Sequence, residues 1–386
     1  MRKVLIFSTN YAPNIGGAEI AVSEITSRLS AQGFSFFLIT SRLKRSLPKT
    51  ENVGKVAVFR VGFGTRFDKW LLPFFGLIKA LRLHQKNRFD LVWTIMASQA
   101  AVAASFFVFF HKKIPMMLTL QEGDEEEHLK RYVFGNTFLY ERLILPFHHM
   151  PILKATRITV ISEYLKKRAE NVKKELKITL VPNGVSFNFW NKKIKTENLE
   201  RLAESLKIKP TDKVLITVSR LVRKNAVGDL IQSLQYLPTD IVLLIVGEGE
   251  EKEPLLSLAE VYGVRNRVIF AGKVPNDQLP SYLRISDIFI RPSISEGFGI
   301  SFIEGFAAGL PVIATPVGGI TDFLIDGETG LFCKVRSPKD IADKVKILLA
   351  DKKLVSKIVA NAKKLAKEKY DWDVIANKMK EVFNSQ

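Results

Sequence analysis

Glu296 and Glu304 are separated by seven residues, Gly297-Phe298-Gly299-Ile300-Ser301-Phe302-Ile303, and the stretch is entered from the apolar run 288–290. The run reads as a buried strand, Gly297 and Gly299 free the backbone to turn tightly, and residues 302–308 continue at helical spacing, so the glycines open a helix. A helix N-terminus presents unpaired N–H groups and a partial positive charge, on which a phosphate can rest over Gly297, Phe298, Gly299 and Ile300. Carboxylates repel phosphate but accept hydrogen bonds from hydroxyls. Two of them flanking such a site suit a ligand with phosphate in its middle and a sugar at each end, which describes a nucleotide sugar. A second cluster, Val218-Ser219-Arg220-Leu221-Val222-Arg223-Lys224-Asn225-Ala226, puts cations in a loop directly after another apolar run. The five histidines, at 84, 111, 128, 148 and 149, form no metal-ligand spacing in a strand-end loop. His148-His149 reads as a helix-end or interface pair, and Asp124-Glu125-Glu126-Glu127-His128 as a solvated acidic loop, with a cation-holding cluster as the alternative. No metal and no cofactor are expected.

The loops need strands to hold them. Apolar runs at 3–8, 34–40, 56–61, 91–96, 115–120, 157–162 and 178–182, then at 213–219, 241–246, 267–271, 287–292, 311–315 and 330–334, alternate with helical patterns. Such alternation predicts parallel sheets covered by helices on both faces. The polar stretch 188–212 divides it into two Rossmann-like domains, in agreement with a length of 386 residues and 47% hydrophobic content. Cys333 is the one cysteine, which excludes an intramolecular disulfide and points to a reducing compartment. The start, residues 1–7, leads straight into a strand, with Ser8-Thr9-Asn10 arriving too soon for a signal-peptide core, so a cytoplasmic location is expected. Of the net charge of +19, residues 1–200 carry +15, from 31 Lys and Arg against 16 Asp and Glu. A basic first half suits nucleic acid, anionic lipid or a phosphorylated acceptor. No zinc-ligand, RNP-like or helix-turn-helix signature accompanies it, and nucleic acid is not expected as a partner.

Pro292-Ser293-Ile294-Ser295-Glu296-Gly297-Phe298-Gly299, then Glu304, then Ala307 to Thr315 and Gly318-Gly319, closely resembles the donor-site signature of retaining glycosyltransferases of family 4. The resemblance covers nearly the whole chain. It implies an α/β fold of the GT-B type: two Rossmann-like doubly wound parallel-sheet domains facing a cleft, 1–187 for the acceptor and 188–370 for the nucleotide sugar, with the last helix, 371–386, crossing back to the first. It also implies roles. Arg220 and a lysine hold the donor diphosphate, Glu296 orients the donor sugar, Glu304 accepts from the ribose hydroxyls, and Lys273 and Val274 meet the nucleobase. Ser219 stands beside these in the donor loop. The common family form has its lysine one or two residues later, where this chain has Asn225, so Lys224 is chosen and Arg223 is the substitute. In the loop Asn10 to Glu19, Gly16 and Gly17 match the family's Gly-Gly-Ala-Glu and line the first-domain side of the donor. Where many relatives carry a histidine facing the donor sugar, this chain has Gln121-Glu122, which cannot carry positive charge. Ser162 and Asn183 are the remaining family-like positions for a sugar or acceptor contact.

The segment 67–82 interleaves bulky apolar residues with Lys69, Lys79 and Arg82. It reads equally as a helix lying in a membrane interface and as an ordinary core helix. The run 100–110 is too short to span a bilayer and reads as a buried helix. Together these features predict a retaining hexosyltransferase of cell-surface polysaccharide or glycoconjugate assembly, peripheral on the inner face of the plasma membrane. Its substrates are a UDP- or GDP-sugar and a hydroxyl of a lipid-linked or growing glycan. A sugar-nucleotide epimerase, a phosphorylase and a non-enzymatic membrane-associated nucleotide-sugar-binding protein are the competing readings.

Overall fold

Short apolar runs become parallel strands when helices cover both faces of the sheet. In the computed structural model, which describes residues 1–13, 16–121, 136–172 and 177–385, this happens twice. The chain divides into two compact units, Met1–Asn183 with Trp372–Gln386, and Gly184–Asp371. The division falls at Asn183/Gly184, ahead of the polar stretch that begins at 188. The reason is local: Val185 bridges Asp371 and donates its N–H to the Tyr370 carbonyl at 2.7 Å.

The first unit holds β1 (Arg2–Phe7), β2 (Phe34–Ser41), β3 (Thr50–Val53), β4 (Val56–Val61), β5 (Leu91–Ile95), β6 (Met116–Leu120), β7 (Arg157–Val160) and β8 (Ile178–Leu180). They hydrogen-bond in the order β3-β4-β2-β1-β5-β6-β7-β8, parallel except for the antiparallel pair β3–β4. The order runs away from β1 in both directions, so the sheet has its topological switch point between β1 and β5. Ligands of open α/β sheets bind at the carboxyl ends of the strands at such a point.

Helix α1 (Gly17–Ser30) buries Ala18, Ala21, Val22, Ile25 and Leu29, a stripe at helical spacing. Helix α2 (Asp68–Asn87) buries Leu72, Gly76, Ala80 and Leu83, while Trp70, Phe74 and Ile78 on another face are 42%, 67% and 45% exposed. The core-helix reading of segment 67–82 thus holds for one face, and the other face leaves apolar side chains exposed. Helix α3 (Gln99–Phe110) is apolar almost all round and buried for most of its length. Among the described residues no helix is long and apolar enough to cross a membrane. The helix Trp372–Asn384 also belongs to this unit, where Phe383 packs against Phe34, Phe36 and Trp93.

The second unit holds β9 (Lys213–Val218), β10 (Ile241–Val246), β11 (Val268–Gly272), β12 (Ile288–Arg291), β13 (Val312–Ala314) and β14 (Leu331–Phe332). All neighbours are parallel, in the order β11-β10-β9-β12-β13-β14. The switch point here lies between β9 and β12. The loops that follow these two strands are the two that carry the cations and the first glutamate.

Candidate active site

The cation loop leaves β9 through Ser219 and tightens into a 3-10 turn over Arg223–Asn225, closed by Ala226 at φ +50°. A non-glycine residue in the left-handed region is uncommon and persists only where the surroundings over-determine it. Asn225 supplies that constraint. Buried, it donates from Nδ2 to the Arg220 carbonyl at 2.6 Å and accepts at Oδ1 from Arg291 at 3.1 Å. Asn225 therefore braces the loop from inside, at the position where the common family form has its lysine. Arg220 is exposed and Lys224 is half-buried. The Arg223 side chain is 91% exposed and its Nε lies 3.4 Å from Glu251.

The loop after β12 is tied to the first by the Ile294 N–H, which donates to the Lys224 carbonyl at 2.7 Å. It ends at Gly299, φ +86°, the N-cap of the helix Ile300–Ala308. Gly297 is buried and donates its N–H to Glu296 Oε1 at 3.2 Å. Phe298 points away from the site and packs on Phe323 and Tyr370. The loop after β13 closes on the same place. Gly319 donates to the Glu296 carbonyl at 3.1 Å, and Gly318, at φ +53°, lies so close to that carbonyl that a Cβ would collide with it.

Arg291 is the residue that reading the motif passes over. It ends β12 and pairs through Nη2 with the Glu296 carboxylate, while Nη1 donates to Ser301 Oγ at 2.8 Å. Its guanidinium lies 5.4 Å from the Phe302 ring centroid. One side chain thus joins the cation loop, the first glutamate and the first turn of the helix. A signal was present: an arginine closing the buried strand Ile288-Phe289-Ile290 demands an anionic partner nearby. Around it, Arg291 Nε, Ser219 Oγ and Ser293 Oγ are buried without a hydrogen-bond partner.

Glu304 lies one turn into the helix, and burial raises its pKa to about 7 while the charge of Arg291 acts in the opposite direction. Lys273, exposed, and Val274, half-buried, follow the edge strand β11 at the same end of the sheet. Ser219 to Lys224 and Glu296 to Ile300 are thus brought together at the switch point, with Lys273 and Val274 farther along the same edge.

In the first unit Gly16 caps α1 and donates its N–H to Glu19 Oε2 at 2.8 Å. Asn183 Nδ2 donates to Gln121 Oε1 at 3.3 Å, and a Cβ on Gly17 would stand 3.9 Å from the same Nδ2. Gly17, Gln121 and Asn183 therefore converge from three loops. Ser162 does not join them: it is fully buried, and its Oγ accepts from the Leu165 N–H at 3.3 Å as a helix cap. Glu122 and the acidic run 124–127 lie outside the described residues. Among the described residues no three His, Cys, Asp or Glu side chains gather as a metal site would require.

Two family models match the chain, Glycosyltransferase Family 4 over residues 15–189 and Glycosyl transferases group 1 over residues 199–365. The chain belongs to the family 4, group 1 glycosyltransferases. This glycosyltransferase has the GT-B fold. It is similar to the crystal structure of Anabaena Alr3699/HepE in complex with UDP-glucose, with a TM-score of 0.80 and 19% identity over 100% of both chains. It is 26% identical to the N-acetyl-alpha-D-glucosaminyl L-malate synthase of Bacillus anthracis, over 96% of this chain and 94% of the relative. It is 24% identical to the alpha-monoglucosyldiacylglycerol synthase of Streptococcus pneumoniae, over 81% of this chain and 70% of the relative.

Proposed function

We propose that this glycosyltransferase moves a hexose-type sugar, with retention, from a UDP- or GDP-sugar to a hydroxyl of a lipid-linked or growing glycan. It does so without a metal, at the cytoplasmic face of a membrane. The observation that carries the donor half is the convergence at the β9/β12 switch point of two cations, an arginine-held glutamate and a helix N-terminus. The departing nucleoside diphosphate gains negative charge, and Arg220 and Lys224 supply the neutralisation that a metal supplies elsewhere. Glu296, fixed by Arg291, accepts from hydroxyls of the donor sugar. Glu304 accepts from the ribose, and Lys273 and Val274 meet the base. In the transfer the bond from the anomeric carbon to the leaving phosphate oxygen breaks while the acceptor oxygen bonds on the same face. The leaving oxygen takes the acceptor's proton. No side chain acts as an acid–base couple, so the rate rests on positioning and charge.

The acceptor half rests on α2, whose exposed Trp70, Phe74 and Ile78 share the helix with Lys69, Lys79 and Arg82. Gly16 and Gly17 are assigned to the donor, and Gln121 and Asn183 to donor-sugar or acceptor contacts. A UDP-glucose complex of a structural neighbour and a diacylglycerol glycolipid synthase among the relatives agree with both halves.

The test begins with thermal shifts across UDP, GDP, ADP and CMP, since a ligand at 100 times its Kd stabilises by about 2.7 kcal/mol. Arg220→Ala and Lys224→Ala are each expected to lower turnover about 10²-fold or more with the fold intact, and excess chelator to leave it unchanged. A silent Lys224→Ala beside a damaging Arg223→Ala would reassign the lysine. Activity that vanishes with chelator and returns with Mg²⁺ would overturn the metal-free mechanism.

A further inference from the structure

The first unit contains a cavity of about 490 Å³ that the donor chemistry does not use. Its walls are Trp70, Pro73 and Phe74 of α2, Val102 and Phe106 of α3, and Phe147 of the helix Leu145–Lys154. At one end it reaches Ala97, Ser98 and Gln99, which follow β5. This is the switch-point side of the sheet, and Thr9, after β1, donates to Ser98 Oγ there at 2.9 Å. Met96, just before that end, stands at φ +64°. The same kind of constrained non-glycine residue, Ala226, marks the other unit's switch point. Backbone held this way clusters at functional sites.

The chemistry of the walls selects the occupant. Apart from Trp70, His148 and the Ser98–Gln99 end, the walls offer no hydrogen-bonding side chain, so the body of a polar ligand would go unmatched there whereas an apolar one loses nothing. The volume falls in the range of small-molecule sites, roughly 300–1,000 Å³. Trp70, Phe74 and Phe147 line the cavity and are also 42%, 67% and 54% exposed, so they form its mouth. At that mouth the Lys69 Nζ lies 5.3 Å from the Trp70 ring centroid, whereas Lys79 and Arg82 line a separate groove of the same helix with Phe63 and Phe75. A cation beside the mouth favours an amphiphile with an anionic head over a neutral one.

We propose that this cavity takes a hydrocarbon chain of the acceptor lipid, leaving the lipid's hydroxyl end at the β1/β5 switch point beside Ser98. The inference rests on the lipid-linked reading of the acceptor. Single-chain alkyl phosphates brominated at the chain end, used below their micelle concentrations, are the probe. They should quench tryptophan fluorescence saturably, and Trp70→Phe should abolish the quenching, because Trp93, Trp190 and Trp372 are buried elsewhere. Each added methylene should tighten binding about fourfold until the chain fills the space. Gln99→Phe should remove the binding while the UDP thermal shift is unchanged, and Val102→Phe repeats the test if the first variant folds poorly. Quenching that ignores chain length, or that survives both variants, overturns the proposal. A dimer that Phe74→Ser dissociates, with no quenching by any probe, overturns it in favour of a second copy of the chain at the mouth. Chain binding together with full turnover on a soluble glycan and none on a lipid acceptor would instead overturn the lipid-acceptor reading and with it the identity of the chain's owner.

Discussion

Arg291 spends its guanidinium on Glu296, Asn225 and Ser301, three groups that no spacing rule links. Hydrogen bonds to charged groups contribute roughly 1.5–3 kcal/mol, and a lysine cannot reproduce the fork that makes several at once. Arg291→Lys is therefore expected to lower kcat by about 10- to 100-fold with a smaller change in UDP affinity. In a double-mutant cycle with Glu296→Gln the two losses should be strongly non-additive, because they share one contact. Additive losses would separate Arg291 from the glutamate. Glu304 makes a prediction about pH. Its pKa rises from 4.5 to about 7 in the folded protein, so between those values the fold holds a proton that the unfolded chain has lost. The fold's stability should then fall as pH rises from 4.5 toward 7, by up to about 3 kcal/mol, and level off above. Urea unfolding across this range checks it, and Glu304→Gln should flatten the curve. Because a carboxylate accepts ribose hydroxyls better than a carboxylic acid does, UDP affinity should rise over the same interval in the parent protein relative to Glu304→Gln.

At the level of elements, the functional loops are held by backbone contact as much as by side chains. Gly318 presses on the Glu296 carbonyl, and Gly247, at φ +139°, presses on that of Ser219 in the same way. Gly318→Ala must push the β12 loop away, so it is expected to cost about 1–3 kcal/mol of stability and at least tenfold in turnover measured well below Tm. Stability lost with turnover intact would show that the loop tolerates the shift. The elements themselves were largely legible. Parallel strands buried on both faces appear as unbroken apolar runs, and each predicted run from 3–8 to 330–334 has its strand. β3 was missed for a physical reason: Thr50-Glu51-Asn52-Val53 is an edge strand that alternates between exposed and half-buried positions, with no apolar face to read. Likewise Gln121 and Asn183 were each visible as candidates. Their hydrogen bond across 62 positions was not, because it depends on β6, β7 and β8 lying side by side.

For the whole molecule the asymmetry of charge is matched by one of apolar surface. Every exposed Phe and Trp among the described residues lies in the first unit, which also contains most of the basic half of the chain. Each basic residue near an anionic surface contributes about 1 kcal/mol, and the aromatic side chains add an apolar share. In co-sedimentation, binding should require anionic vesicles, fall at 1 M salt, where the screening length is about 3 Å, and weaken when Lys69, Lys79 and Arg82 become Glu. Equal recovery on neutral vesicles, or none at any salt, would leave the acceptor as a soluble molecule. The placement of the helix Trp372–Asn384 has another consequence. Because that helix completes the first unit, the second unit is in topological terms an insertion, one continuous segment whose entry and exit meet where Val185 pairs with Asp371. Ends that lie close together are what make the insertion of a domain tolerated. The unit proposed to take the donor is therefore a single cassette, 184–371, and a graft of the unit proposed to take the acceptor must bring two separate pieces of gene.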